Sequence, residues 1–376
     1  ILEAMRANLK EGTEMIGVVK ADGYGHGSVP VACAIDSYVS GYATATPEEA
    51  VILRKHGITK PILILGVSPE SSFSQLIEYD LRPAIFRYES AARLSELAVQ
   101  AGKRASIHIA LDTGMSRIGY PVTAAAAEET ARISRLPGIR IEGLFTHFAR
   151  ADEKDKGATD RQMELFTTFV SMLSERGVTI PVLHCSNSAG ILELPKANFN
   201  AVRAGISIYG LYPSDEVEKE PVRLIPAMEL KSTITYLKTI APGTPVSYGG
   251  TFTAERETSI ATIPVGYGDG YPRALSGRAD VLIRGRRARI LGRVCMDQLM
   301  VDTTDIPEAE EGDEVTLIGK DGEEEITVEE LARIGGGFHY EILCDIGKRV
   351  PRVYIEAGKV VGKKDYFDDI YEGFGK

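Results

Sequence analysis

Lys20 is the residue around which chemistry can be built. It closes the apolar run Met15-Ile16-Gly17-Val18-Val19 and opens Ala21-Asp22-Gly23-Tyr24-Gly25-His26-Gly27, so a short buried strand ends at a lysine and a glycine-rich turn follows. An ammonium at the end of a buried strand is costly unless it is paired, exposed or chemically altered. Two readings stay open on these residues alone: a lysine that snorkels from a loop to water, or one that loses its charge by forming a Schiff base with an aldehyde. Other combinations carry less. His184-Cys185 has the composition of a nucleophile pair, but adjacent strand residues face opposite ways, which ranks a cysteine hydrolase low. The six histidines show no metal-ligand spacing, so no metal site is expected.

Around Lys20 the chain alternates β-type and helical segments. Strands are expected at 42–46, 61–66, 82–86, 106–112, 141–148, 182–186 and 201–209, with helices after Thr46-Pro47-Glu48-Glu49 and near 72–78, 90–101, 123–134 and 159–176. With the lysine strand this makes about eight strand–helix units, the pattern of a parallel (β/α)8 TIM-type barrel; an open doubly wound sheet has the same periodicity. In a barrel, chemistry collects at the carboxyl ends of strands. Lys20, Arg117, His147, Asn187, Ser188, Arg203 and Gly205 all fall near such ends.

Past Tyr212-Pro213 the texture changes to a mostly-β pattern, with runs at 228–240, 259–265, 279–283, 288–290, 298–302 and 314–318. The expected domains are therefore 1–222 and 223–376, an α/β barrel and a C-terminal mostly-β domain. The acidic runs 308–314 and 321–325 read as solvated loops and turns, and the acidic, aromatic tail 365–376 as packed on the body or frayed. The 376 residues allow two sizeable cores, and the net charge of −10 argues against nucleic-acid or anionic-membrane partners. No apolar run is long enough to span a bilayer, and Ile1-Leu2-Glu3-Ala4 reads as a trimmed start. Cys33, Cys185, Cys295 and Cys344 form no CxxC pair, which suits a reducing, cytoplasmic setting.

Val18-Val19-Lys20-Ala21-Asp22-Gly23-Tyr24-Gly25-His26-Gly27 closely resembles the pyridoxal-phosphate attachment segment of bacterial alanine racemases. The resemblance runs from the first helix to Tyr354 through further motifs: 112–119, 143–148, 184–188, 202–206, 246–249, 266–270 and 295–298. Each motif alone is weak; in this order they are specific.

The resemblance implies an alanine racemase with pyridoxal 5′-phosphate as cofactor. Lys20 would hold the cofactor as a Schiff base and then serve as one of two bases, with Tyr248 as the other. Racemisation removes a proton from one face of a carbanion and returns it to the other, so two groups on opposite sides are required. A tyrosine, with an ordinary pKa near ~10, needs positive charge nearby for that task, and on the bare sequence Tyr248 reads as a surface hairpin tyrosine. Arg203 would face the pyridine nitrogen; because a guanidinium only donates, the nitrogen would stay unprotonated, which disfavours transamination. His147 would buttress Arg203. Tyr24, Asn187, Ser188, Tyr340 and the Gly205 and Ile206 amides would hold the cofactor, mostly at its phosphate. Arg117 and the Met296 amide would bind the substrate carboxylate, and Tyr267 and Tyr340 would narrow the entrance.

One position departs from the family pattern. Ala110 stands where a carbamylated lysine often orients the substrate-binding arginine, so Arg117 would be oriented by another carboxylate, an anion or water. The resemblance also implies a homodimer in which Tyr248 and Met296 cross between subunits, acting on a small amino acid and supplying D-alanine for peptidoglycan. The rival readings are a serine or broad-specificity racemase on the same scaffold, a barrel-type decarboxylase, and a noncatalytic cofactor carrier. The segment Ser247-Tyr248-Gly249 argues against the last two.

Overall fold

The computed structural model describes residues 1–220, 222–365 and 371–372. They group into two compact units, Ile1–Gly23 with Gly27–Ile225, and Tyr24–His26 with Pro226 onward.

In the first unit a short helix, α1 (Leu2–Ala7), precedes eight parallel strands: β1 (Glu14–Val18), β2 (Gly41–Thr44), β3 (Ile62–Ile64), β4 (Arg82–Ile85), β5 (Ala105–Asp112), β6 (Ile139–Phe145), β7 (Val182–His184) and β8 (Ala201–Ala204). β1 pairs with both β2 and β8, and β4 pairs with β5, so the ring closes and the open-sheet alternative is excluded. Seven helices connect successive strands: α2 (Ser28–Ile35), α3 (Pro47–Lys55), α4 (Phe73–Glu78), α5 (Tyr88–Gln100), α6 (Ala124–Ile133), α7 (Gly157–Ser174) and α8 (Ser188–Glu193).

Local chemistry sets these elements. Seven of the eight residues of β5 are buried, as a strand covered on both faces requires. In α5, Ala91, Leu94, Ser95 and Ala98 recur at helical spacing and are buried, each large apolar side chain contributing about 1.5–3 kcal/mol. α3 begins where the sequence places it: the Thr46 hydroxyl accepts from the Glu49 amide, the Glu49 carboxylate returns to the cap, and Pro47 opens the helix. The run 201–209 is strand only to Ala204; Ile206–Tyr209 is a 3-10 turn.

The second unit holds β9 (Leu230–Thr233), β10 (Tyr236–Ile240), β11 (Thr258–Ile263), β12 (Asp280–Ile283), β13 (Arg286–Leu291), β14 (Leu299–Asp302), β15 (Glu314–Asp321) and β16 (Glu324–Ile326). Their order is β9-β15-β12-β13-β14-β11-β10, with β16 on β15, and every pairing is antiparallel. The run 228–240 is thus two strands. The acidic segment 321–325 forms the turn and second strand of a hairpin, and Glu314 begins a strand. Two helices that the sequence reading omits follow: α9 (Val328–Gly335), capped by Thr327, and α10 (His339–Asp345). A last small sheet joins β17 (Arg352–Glu356), β18 (Lys359–Lys364) and β19 (Tyr371–Glu372). The expectation for the tail falls largely on 366–370 and 373–376, outside the described residues. Among the described residues no helix is long and apolar enough to cross a membrane, and no acid, histidine or cysteine cluster could hold a metal.

Candidate active site

The segment after β1 is not an ordinary glycine turn. Ala21, Asp22, Gly23 and Tyr24 all have φ between 50° and 63°, a left-handed helical turn in which three members are not glycine. Such a conformation costs roughly 1–2 kcal/mol per residue with a Cβ. It is held by a set of hydrogen bonds. The Gly23 amide donates to Val19 O at 2.9 Å and the Gly27 amide to Asp22 O at 2.7 Å. Ser28, at the start of α2, donates its amide to the Asp22 carboxylate at 2.9 Å. One oxygen of Glu49 accepts from the Ala21 amide and the other from Ala45, both at 2.7 Å. The carboxylate that caps α3 therefore also fixes the residue beside Lys20.

On the neighbouring strand β8, in register with Ile16 of β1, Arg203 is 3% exposed. Its Nη1 donates to His184 Nδ1 (2.8 Å) and His184 O (3.0 Å). Its Nη2 donates to Thr146 O (2.8 Å), Cys185 O (3.0 Å) and His147 Nδ1 (3.2 Å). Among the described residues no carboxylate pairs with it and no acceptor meets its Nε. Burial lowers its pKa to about 10, and at neutral pH it is still a cation. Cys185 is buried, and that burial pushes its thiol up, so the His184-Cys185 pair has no nucleophile.

His147 follows β6 and is pushed down to about 3 by burial and by the charges of Arg203, Arg117 and Lys20. Four of the residues expected in the site thus converge on one end of the barrel, and the imidazole is neutral there. Gln162 of α7 ties two of the strand-end loops together, donating to Thr113 Oγ1 (3.1 Å) and His147 O (3.0 Å) while accepting from the Ala149 amide. Arg117 is exposed and forms no ion pair among the described residues; its loop is shaped by Asp112, which accepts from the Gly114 and Ser116 amides. Ala110 packs with Ala84 and Phe145, flanked by Leu65 and Phe86. Apolar side chains pack around that position.

Asn187 caps α8, its side chain accepting from the Gly190 amide at 3.1 Å. This places Ser188 at the first turn, where its buried hydroxyl accepts from the Gly205 amide (3.1 Å) and from the Ser207 hydroxyl (2.9 Å). Gly205 and Ile206 head the 3-10 turn after β8, so the Ile206 amide has no acceptor within that turn. Hydroxyl and amide donors are thereby gathered beyond two adjacent strands, a cradle suited to a phosphate.

In the second unit Tyr24 is buried beside Tyr340, ring centroids 6.1 Å apart, and Tyr340 stacks on Phe338 at 4.5 Å. Gly25 has φ +80°, and a Cβ there would lie 2.0 Å from Leu343 O, so only glycine fits. Arg352 Nε donates to Gly25 O and Tyr354 Oη to His26 O. Elsewhere in this unit, Ser247, Tyr248, Cys295 and Met296 line an open depression. The tyrosine sits on a tight turn above a small core of Ile240, Val246, Ala254, Ile260 and Leu291. The Tyr267 amide donates to Cys295 O (3.0 Å) and the Gly268 amide to Met296 O (2.8 Å), which brings Tyr267 against Met296. All three side chains are open: Tyr248 is 69% exposed, Met296 52% and Tyr267 41%.

Sequence reasoning had no role for His108, Glu142 or Gln162. Gly143 in mid-strand was the available signal for a close approach: a Cβ there would lie 2.3 Å from His108 Nδ1.

The chain is similar to known proteins over nearly its whole length. Residues 2–213 match the family model described as alanine racemase, N-terminal domain, and residues 227–354 that of alanine racemase, C-terminal domain. The chain is 47% identical over 354 residues to alanine racemase 1 of Clostridium acetobutylicum, covering 94% of this chain and 92% of that one. Over 362 residues it is 42% identical to an alanine racemase of Methanococcus maripaludis, covering 94% and 97%. Among solved structures it is similar to alanine racemase from Clostridium difficile (TM-score 0.94, 40% identity, covering 97% and 95%). It is similar also to that from Bacillus anthracis with bound L-Ala-P (TM-score 0.91, 37% identity, covering 98% and 97%).

Proposed function

The chain belongs to the alanine racemase family, and on that premise we propose that it interconverts L- and D-alanine by a two-base route with pyridoxal 5′-phosphate. The donor set fits such a cofactor. Lys20 offers the amine, Arg203 Nε is a donor that meets no acceptor among the described residues, and Ser188, Gly205 and Ile206 gather hydroxyl and amide groups for a phosphate. Tyr24, His147, Asn187 and Tyr340 complete the proposed set. When bound, the cofactor supplies an electron sink for the α-carbon.

The protein's part is to bind, orient and move protons. Lys20 Nζ moves the α-proton on one face and Tyr248 Oη moves it on the other. Arg117 and the Met296 amide hold the substrate carboxylate, while Tyr267 and Tyr340 narrow the approach to a small side chain. The observation that carries the reading is Arg203. A buried guanidinium that has no carboxylate partner among the described residues can only donate, so Arg203 would hold the ring nitrogen of such a cofactor unprotonated, which would favour return of the proton at the α-carbon.

The exposure of Tyr248, Tyr267 and Met296 supports a homodimer in which a second chain covers them. We propose domains at 1–222 and 223–376, and a cytoplasmic enzyme that supplies D-alanine for peptidoglycan. The lack of disulfides and of an apolar spanning helix among the described residues suits that setting. Lys20→Ala tests the assignment. It is expected to remove the visible absorbance of bound cofactor and to cut racemisation of L-Ala by about 10⁴-fold or more; wild-type turnover in that variant overturns it. A tenfold preference for L-Ser over L-Ala in the wild type overturns the substrate.

A further inference from the structure

A chain of buried polar groups runs through the barrel behind Arg203. It begins with a necessity: arginine has no acceptor, so the 2.8 Å contact between Arg203 Nη1 and His184 Nδ1 requires that Nδ1 be bare. His184 is fully buried and burial holds it far below an ordinary imidazole, so it is neutral and its one proton sits on Nε2. Nε2 lies 2.9 Å from His108 Nδ1, which must then accept. His108 is also buried and its pKa lowered by burial, so its proton is on Nε2 in turn. That nitrogen faces Glu142 Oε2 at 3.8 Å, a charge contact longer than a hydrogen bond. Glu142 is held down to about 2 by His108 and by Arg82, and accepts from Arg82 Nε at 3.0 Å and Arg140 Nη2 at 2.8 Å.

We propose that Glu142, His108 and His184 form a directional relay that aims the Arg203 guanidinium, with Glu142 and His108 as positioning residues acting through His184. Every N–H along it points from Arg203 toward the carboxylate. The relay gives a buried cation that has no acid of its own a polarised acceptor, at a distance of two rings. The strands are shaped for it. Gly143 leaves the space that the His108 ring fills, a Cβ there lying 2.3 Å from Nδ1. Phe145 stacks on His184 (5.2 Å, 20°), and the Arg203 guanidinium lies 5.4 Å from the Phe145 ring centroid. If His184 carried its proton on Nδ1 instead, two donors would face each other and the guanidinium would turn. The consequence for catalysis rests on the proposed function; the relay itself does not.

Nitrogen-15 NMR of the histidine rings tests it in cofactor-free protein. Both His108 and His184 are expected with bare Nδ1 and protonated Nε2, unchanged between about pH 6 and 8. A proton on Nδ1 of either ring overturns the relay. In His108→Phe, His184 is expected to become a mixture of tautomers, kcat to fall about tenfold with KM little changed, and pyruvate release per racemisation to rise. A single Nε2–H tautomer with unchanged kcat overturns the proposal. Glu142→Gln, which keeps an acceptor and removes the charge, is expected to lie between. Correct tautomers in a chain without racemase activity would sink the functional reading alone; wrong tautomers in an active racemase would sink the relay alone.

Discussion

The barrel end and the exposed face of the second unit both carry residues expected to contact the substrate but are built in opposite ways. Arg203 donates to five acceptors, His147 and Ser188 are tied to neighbouring loops, and Lys20 sits on a turn whose strained backbone is fixed by Asp22 and Glu49. Among the described residues Tyr267 and Met296 are tied by backbone hydrogen bonds, and the side chains of Tyr248, Tyr267 and Met296 are exposed. A site needs rigid geometry on both sides of the reacting atom. The residues of the first unit are fixed by internal hydrogen bonding; under the proposed function those of the second would gain rigidity when a second copy covers them, which is the physical argument for a dimer.

This contrast is sharpest if function and stability separate. Tyr248→Ala is expected to slow exchange of the α-proton of L-alanine by roughly 10²–10⁴-fold, far more than that of D-alanine. The same change is expected to leave the unfolding free energy of the isolated chain within about 0.5 kcal/mol. Equal losses for the two enantiomers would break the assignment of opposed bases, and a large loss of stability would break the contrast.

A smaller effect is expected on the buried side, and in stability. The folded-state pKa of His147 is about 3, against 6.5 for an ordinary histidine. Between those values the unfolded chain binds a proton that the folded chain refuses, so stability falls as pH is lowered through that window. His147→Gln removes this penalty, and the loss of unfolding free energy between pH 7 and pH 5 is expected to shrink by on the order of 1 kcal/mol in urea titrations. An unchanged difference would mean that the imidazole is not held neutral by burial and its cationic neighbours.

Much of this was legible in the sequence because the responsible forces are local. Short apolar strands alternating with helices, with Lys20, Asn187 and Arg203 near their ends, declare a parallel α/β fold whose closure into a barrel only the structure decides, and Thr46-Pro47-Glu48-Glu49 declares a helix start. The left-handed turn was not legible, because Ala21 and Asp22 take it only where Glu49 and Ser28 bond to it. α9 did leave a signal, Thr327 followed three residues later by Glu330 with Val328, Leu331 and Ala332 on one face, but the surrounding β texture hid it. The pairing of His108 with His184 spans 76 residues and exists only once β5 and β7 close into the ring. Ala110 shows the limit of a resemblance: it packs among apolar side chains, and the pattern left open whether a carboxylate, an anion or water orients Arg117 in place of the missing lysine.

The claim that the two halves meet across subunits can be tested most directly by mixing two dead variants. Lys20→Ala and Tyr248→Phe chains, each inactive alone, are unfolded together and refolded so that mixed dimers form. If Tyr248 of one chain serves Lys20 of the other, half the sites of each mixed dimer are intact, and about a quarter of wild-type turnover returns at equal amounts. No recovery, with mixed dimers present, would mean that both residues act within one chain and would contradict the account.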